Sequence, residues 1–282
     1  MSHNDPTSRI QIACAALAQA RHLLIDLDGT LIRQHEPIRG AAELLERFQD
    51  RFAIVSNNST HTAASLSRRL RRQGLRVPPD RIVLAGELAV RQLARTEPDA
   101  RVLAVTSPVI HRLARAHDCH LVQADADVVL LALDTHFNHA RLALVANELR
   151  QGARLIVSNT DSTHPGANGH LVPETGALLA AVMAASGEQP WRVIGKPEPL
   201  LFEEAMRRLG ASPGHTLVIG DNAQTDGIGA ARLGLRCLLV GDSPTAVAPS
   251  VAGLLGLPES PDQYRLSDST SNVRRSVLTE VS

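Results

Sequence analysis

The chain has 282 residues, of which 44% are hydrophobic and only 2% aromatic. That length can bury a substantial core built mostly from Ala, Leu, Val and Ile, in one large or two modest domains. Lys plus Arg equals Asp plus Glu at 29 each, so the charge gives no case for a nucleic-acid or anionic-membrane partner.

The first apolar stretch, at 10–20, reads as a helix packed on the strand that follows. Gln11 and Gln19 interrupt it, and it suits neither a bilayer span nor a secretory leader. Nine short apolar runs then read as strands, at 22–26, 52–56, 81–85, 102–106, 128–133, 155–158, 192–194, 217–220 and 237–240. They are nearly continuous rather than alternating, as expected of strands covered on both faces of a parallel sheet. Helical patterns lie between them. Ala63, Leu66 and Leu70 share one face, with Arg68, Arg69, Arg71 and Arg72 on a solvated opposite face that has no interleaved aromatics. Leu142, Val145 and Leu149 mark a second helix, and Leu201, Ala205 and Leu209 a third. Gly74, Gly152 and Gly210 follow these three helices, where a left-handed cap favours glycine.

Strand alternating with helix predicts a doubly wound α/β fold with a Rossmann-like parallel sheet. Nine strands are more than one sheet comfortably holds, so a core domain interrupted by an inserted α/β domain is expected. From about residue 258 Ser, Asp, Arg and Thr dominate, and a loosely ordered tail is expected over 258–282. Cys14, Cys119 and Cys237 are odd in number and far apart. They read as small apolar residues in a reducing compartment, with the cytoplasm as default location.

Four strand ends carry chemistry. In the first, the apolar run at 22–25 meets Asp26 and Asp28, then Gly29 and Thr30. Unpaired buried acids are costly, and a cation with a taste for carboxylate and carbonyl oxygen, such as Mg²⁺, would relieve that cost. An Asp–Gly turn is the simpler use of the same residues. In the second, the run at 52–55 ends in Ser56, Asn57, Asn58, Ser59 and Thr60. These suit either a plain helix cap or an anion held at a helix start. The third is Lys196 in Gly-Lys-Pro-Glu-Pro, and the fourth is Gly220-Asp221 with Asp226 five residues on. A lone lysine is ordinarily a surface residue; its company here changes the reading.

Together these segments resemble, in order, the four motifs of the haloacid dehalogenase superfamily of aspartate-nucleophile phosphotransferases, over the chain up to about residue 245. Ser-Asn-Asn-Ser-Thr, Gly-Lys-Pro-Glu-Pro and Ser158-Asn-Thr-Asp161 with Thr175-Gly-Ala-Leu-Leu resemble its class IIA branch, the NagD-like and pyridoxal phosphatase-like members. The resemblance implies a discontinuous core at 1–85 and 191–257 with an α/β cap at 86–190. It implies Mg²⁺-dependent hydrolysis of a small-molecule phosphate ester. Asp26 would be the nucleophile, Asp28 the general acid and base, and Lys196 the neutralising cation. Asp26, Asp221 and the Asp28 carbonyl would hold Mg²⁺, with Asp226 in support and Ser56 and the Asn57 amide on the phosphate. Asn58 and His164 are expected at the leaving group, His164-Pro165 being similar to the His-Pro of the branch's specificity loop. A homodimer through the cap is the expected assembly. A phosphotransferase or phosphomutase with the same nucleophile, and a catalytically idle binding protein on the same fold, remain open alternatives.

Overall fold

The computed structural model describes residues 6–165 and 170–258. The expected tail, but for residue 258, and residues 166–169 lie outside the described residues. Helix α1 (Pro6–Gln19) leads into β1 (His22–Ile25). A short hairpin, β2 (Ile32–Arg33) with β3 (Glu36–Pro37), then precedes α2 (Ala41–Phe48), β4 (Phe52–Ser56), α3 (Ala63–Arg72), β5 (Ile82–Leu84) and α4 (Ala85–Thr96). A second set follows: β6 (Arg101–Val105), α5 (Pro108–Ala116), β7 (His120–Leu121), β8 (Val128–Leu131), α6 (His139–Arg150) and β9 (Arg154–Val157). The hairpin β10 (Thr163–Pro165) and β11 (Leu171–Pro173), α7 (Thr175–Ser186) and β12 (Trp191–Val193) complete it. The chain returns through α8 (Leu200–Leu209), β13 (Thr216–Gly220), α9 (Ile228–Arg232), β14 (Arg236–Leu239) and α10 (Val251–Leu254).

All nine expected strands are present, and with β7 as a tenth they form two parallel five-stranded sheets. The first has order β14-β13-β1-β4-β5 and the second β12-β9-β8-β6-β7. Successive residues of a strand face opposite ways, and both faces are covered, which is why the runs read as continuously apolar. Leu23, Ile25, Ile54 and Ile219 pack with α1, α2 and α3 on one side of the first sheet. Leu24, Ala53, Val55 and Val218 face the other way, into a core filled by Leu88 and Leu93 of α4 and Leu201 and Phe202 of α8. Val102, Val128, Leu130 and Ile156 of the second sheet close that same core. The outer face of the second sheet packs on α6 and α7 through Leu103, Val129, Leu131, Val145 and Val182. Helices α4, α5 and α8 all contribute to the core that the two sheets share.

One boundary moves. Trp191–Val193 pairs in register with Leu155–Val157 and so belongs to the second sheet, although the sequence assigned 191 onward to the core. An apolar run announces a strand but not its partner. Gly74, Gly152 and Gly210 take positive φ (87°, 104° and 60°) after their helices, as their spacing predicts. Among the described residues no helix is long and apolar enough to cross a membrane.

Candidate active site

In the first sheet the strand order reverses direction at β1: β4 and β5 lie to one side, β13 and β14 to the other. Ligands of open α/β sheets bind beyond the carboxyl ends of strands at such a switch point. Asp26 stands there, directly after Ile25, with its N–H donating to Ile219 O at 2.8 Å. The chain then winds one tight turn: Leu31 N–H and Ile32 N–H both donate to Leu27 O, at 2.9 and 3.0 Å. This turn buries Leu27 and carries Asp28 out of the strand direction. Gly29 makes it possible. Its φ is +86°, and a Cβ there would stand 2.0 Å from Asp221 Oδ2. The fully buried Thr30 donates its hydroxyl back to Asp26 Oδ2 at 3.4 Å.

Lys196 reaches the same point from the far end of the second sheet, just after β12. It is 3% exposed, and its Nζ donates to Asp26 Oδ1 at 2.5 Å and to Asp226 Oδ1 at 2.7 Å. Burial works against its charge, but the carboxylates of Asp226 and Asp26 outweigh this and hold its pKa above the ordinary lysine range. Asp226 is placed by a π-type turn over Ala223–Gly227. Its carboxylate lies across the end of β13, so that a Cβ on Gly220 would stand 2.3 Å from its carboxyl carbon. Turns of this kind recur at functional sites.

Asp26, Asp221 and Asp226 each offer an oxygen within 4.8 Å of the others. Burial, followed by the charges of Asp26 and Asp226, pushes Asp221 up to about 7. Burial ahead of other causes pushes Asp226 to about 6, against the pull of Lys196. One lysine therefore leaves this cluster short of positive charge. A hard divalent cation with oxygen ligands fits the donor set and supplies what is missing. The sequence placed Asp26, Asp221 and the Asp28 backbone at the metal; the carboxylate cluster also includes Asp226, which the lysine shares.

Asp28 carries an exposed side chain that is nonetheless set deep among protein groups. Loss of surrounding water, then the Asp26 charge, pushes its carboxyl up to about 6, while Arg69, Lys196 and His164 pull it down. His164 thus lies within electrostatic reach of Asp28. Its Nδ1 is 2.7 Å from Glu174 Oε1 across the β10–β11 hairpin.

Ser56 Oγ accepts Asn58 N–H at 3.2 Å, which leaves the hydroxyl proton for an incoming oxygen. The side chains of the two asparagines that follow have partners of their own. The Asn58 side-chain oxygen accepts from Thr60 N–H and His61 N–H, both at 3.0 Å, so that oxygen shapes its own loop. The Asn57 side chain is consumed by Lys196: Oδ1 accepts the lysine N–H at 2.7 Å and Nδ2 donates to its carbonyl at 3.2 Å. Only the Asn57 backbone amide remains for a ligand. Asn159 and Asp161, which sequence reasoning did not single out as site residues, join this network from the second sheet. Their signal was available: a short polar cluster ending an apolar strand, as at the other four.

Two family models match the chain, a haloacid dehalogenase-like hydrolase over residues 23–120 and a second HAD-like hydrolase model over 193–254. The dihydroxyacetone phosphatase of Corynebacterium glutamicum is 32% identical over 220 residues, which cover 77% of this chain and 79% of that protein. Among solved structures, a glycerol phosphate phosphatase of Mycobacterium tuberculosis in complex with magnesium superposes with a TM-score of 0.73 at 33% identity, covering 80% of this chain and 69% of that one. A 4-nitrophenylphosphatase of Thermotoga maritima gives 0.76 at 26% identity, covering 81% and 90%. The chain belongs to the haloacid dehalogenase-like hydrolases. Within them it is a phosphatase of the class IIA branch.

Proposed function

We propose that this protein hydrolyses phosphate monoesters of small molecules with Mg²⁺, through an aspartyl-phosphate on Asp26, and does so in the cytoplasm. The observation that carries the reading is the buried Lys196 Nζ held between Asp26 and Asp226 beside Asp221. Relatives named as a dihydroxyacetone phosphatase and a D-glycerol 3-phosphate phosphatase support a small substrate.

Asp26 attacks phosphorus as the ester P–O bond breaks, and Asp28 gives its proton to the departing oxygen. Asp28 then takes a proton from the water that attacks the aspartyl-phosphate, which releases inorganic phosphate and restores both acids. Ser56 and the Asn57 backbone amide orient the phosphoryl oxygens. Lys196 offsets the charge of Asp26 and of the group it attacks. Asp26, Asp221 and the Asp28 carbonyl would hold Mg²⁺, which when bound offsets the repulsion between carboxylate and phosphate dianion. Positioning and charge neutralisation are most of what phosphoryl transfer needs. The sheet running from β6 to β12 serves as the cap, closing over the leaving group.

Incubation with p-nitrophenyl phosphate tests this directly. Steady nitrophenol release is expected with Mg²⁺, loss of release with excess EDTA, and recovery when Mg²⁺ is restored in excess. Release that persists after exhaustive chelation would exclude the metal's part. Gly29→Ala probes the cluster from behind. Its Cβ would collide with Asp221 Oδ2, so Asp221 must move. The Mg²⁺ concentration for half-maximal activity is expected to rise by about 10- to 100-fold, the usual cost of disturbing a ligand's support. An unchanged Mg²⁺ titration would show that Asp221 is not a ligand.

A further inference from the structure

The segment after β9 brings a fifth set of polar groups to the strand-end crevice. Asn159 Nδ2 donates to Asn57 O at 2.9 Å and to Thr175 Oγ1 at 3.3 Å, while Asn159 Oδ1 accepts Asp161 N–H at 3.2 Å. Asn57 Nδ2 in turn donates to Asp161 Oδ2 at 3.0 Å. Packing around this knot is tight. A Cβ at Gly195 would stand 2.5 Å from Asn57 Oδ1, and one at Gly176 would stand 2.3 Å from Thr160 O and 2.8 Å from Asp161 O. The Asp161 carboxylate is therefore held in a fixed relation to the Lys196 backbone.

Only one Asp161 oxygen is used in this way. Among the described residues no side-chain or backbone donor reaches Oδ1. A neutral amide at 161 would satisfy Asn57 equally well, without the cost of a partly buried charge. Asp161 also lies within electrostatic reach of both Lys196 and Asp26, the residues that act on the ester. His164 stands three residues further along the same segment, near Asp28.

We propose that Asp161 is a specificity-determining residue: its free carboxylate oxygen accepts a hydrogen bond from a hydroxyl of the leaving group. The site would then select phosphate esters of small hydroxylated alcohols over esters without such a hydroxyl. This deepens the phosphatase reading and rests on it.

The experiment compares kcat/KM for two substrates in wild type and in Asp161→Asn. One is the fastest of glycerol 3-phosphate, dihydroxyacetone phosphate and ribose 5-phosphate; the other is p-nitrophenyl phosphate, which lacks a hydroxyl. Asp161→Asn keeps an acceptor for Asn57 and turns the other atom into a donor. The hydroxylated ester is expected to lose about 10- to 100-fold, the range for a hydrogen bond to a charged group, beyond whatever loss p-nitrophenyl phosphate shows. Asp161→Ala should show the same split on top of any general loss, with the thermal midpoint reporting on folding. A uniform loss on both substrates, or none, overturns the proposal, because a merely structural Asp161 cannot distinguish leaving groups. Wild-type preference for p-nitrophenyl phosphate over all three hydroxylated esters also overturns it. Failure to cleave p-nitrophenyl phosphate at all would instead strike the phosphatase reading itself.

Discussion

Asp26→Asn is expected to lower kcat by more than about 10⁴-fold, beyond what a positioned acid or base alone contributes. The substitution keeps the shape of the side chain and its place at the end of β1. An amide oxygen can still accept from Lys196, and the backbone bond to Ile219 O is untouched. What disappears is the anionic oxygen that forms the bond to phosphorus. Folding should survive, since one buried negative charge leaves a cluster that already holds more acid than base. The check has two parts: steady-state release of phosphate, and acid-quenched protein examined by mass for a covalent phosphoryl group. Wild type should show the added mass during turnover and Asp26→Asn should not. Near wild-type turnover in the variant would remove Asp26 as nucleophile, and added mass on a different residue would relocate it.

The elements that hold this site were readable because each is extreme in its kind. β1, β4 and β13 are buried on both faces, so their apolar runs stand out and stop where Asp26, the Ser56 loop and Asp221 begin. Gly29 and Gly220 were visible as glycines, but what they avoid was not. The carboxylates that would meet a Cβ lie 192 residues away for Gly29 (221 − 29) and 6 away for Gly220 (226 − 220). The Asn57–Asp161 bond joins residues 104 apart and is specified by no local pattern. The hairpins β2–β3 and β10–β11 and strand β7 escaped notice because two or three residues make no periodicity. The Asn57 amide was expected on the phosphate and Asn58 at the leaving group, with no partner foreseen for either side-chain oxygen. Sequence position could not show that Lys196, Thr60 and His61 claim their amide oxygens first.

Replacing Lys196 separates the structural from the catalytic use of charge. Lys196→Met keeps the length and most of the volume of the side chain but removes the cation from between Asp26 and Asp226. Three acids then crowd one buried crevice. Removing one partner of a buried ion pair typically costs about 3–5 kcal/mol, because the remaining charge is left uncompensated. Asp226 has its carboxyl already at about 6 with the lysine present, and it would take up a proton more readily without it, which softens the loss. The urea midpoint should fall clearly in metal-free buffer. Mg²⁺ binds the folded state, and more tightly where more unpaired carboxylate surrounds it. The variant should therefore regain more stability from Mg²⁺ than wild type gains. Activity should not return with stability. Loss of one preorganised cation at the developing charge is worth about 10²- to 10³-fold in kcat, and the methionine cannot replace it at any metal concentration. A variant that is as stable as wild type without metal would show that the lysine does not offset buried acid charge. One that turns over normally once Mg²⁺ is added would show that its charge serves the fold alone.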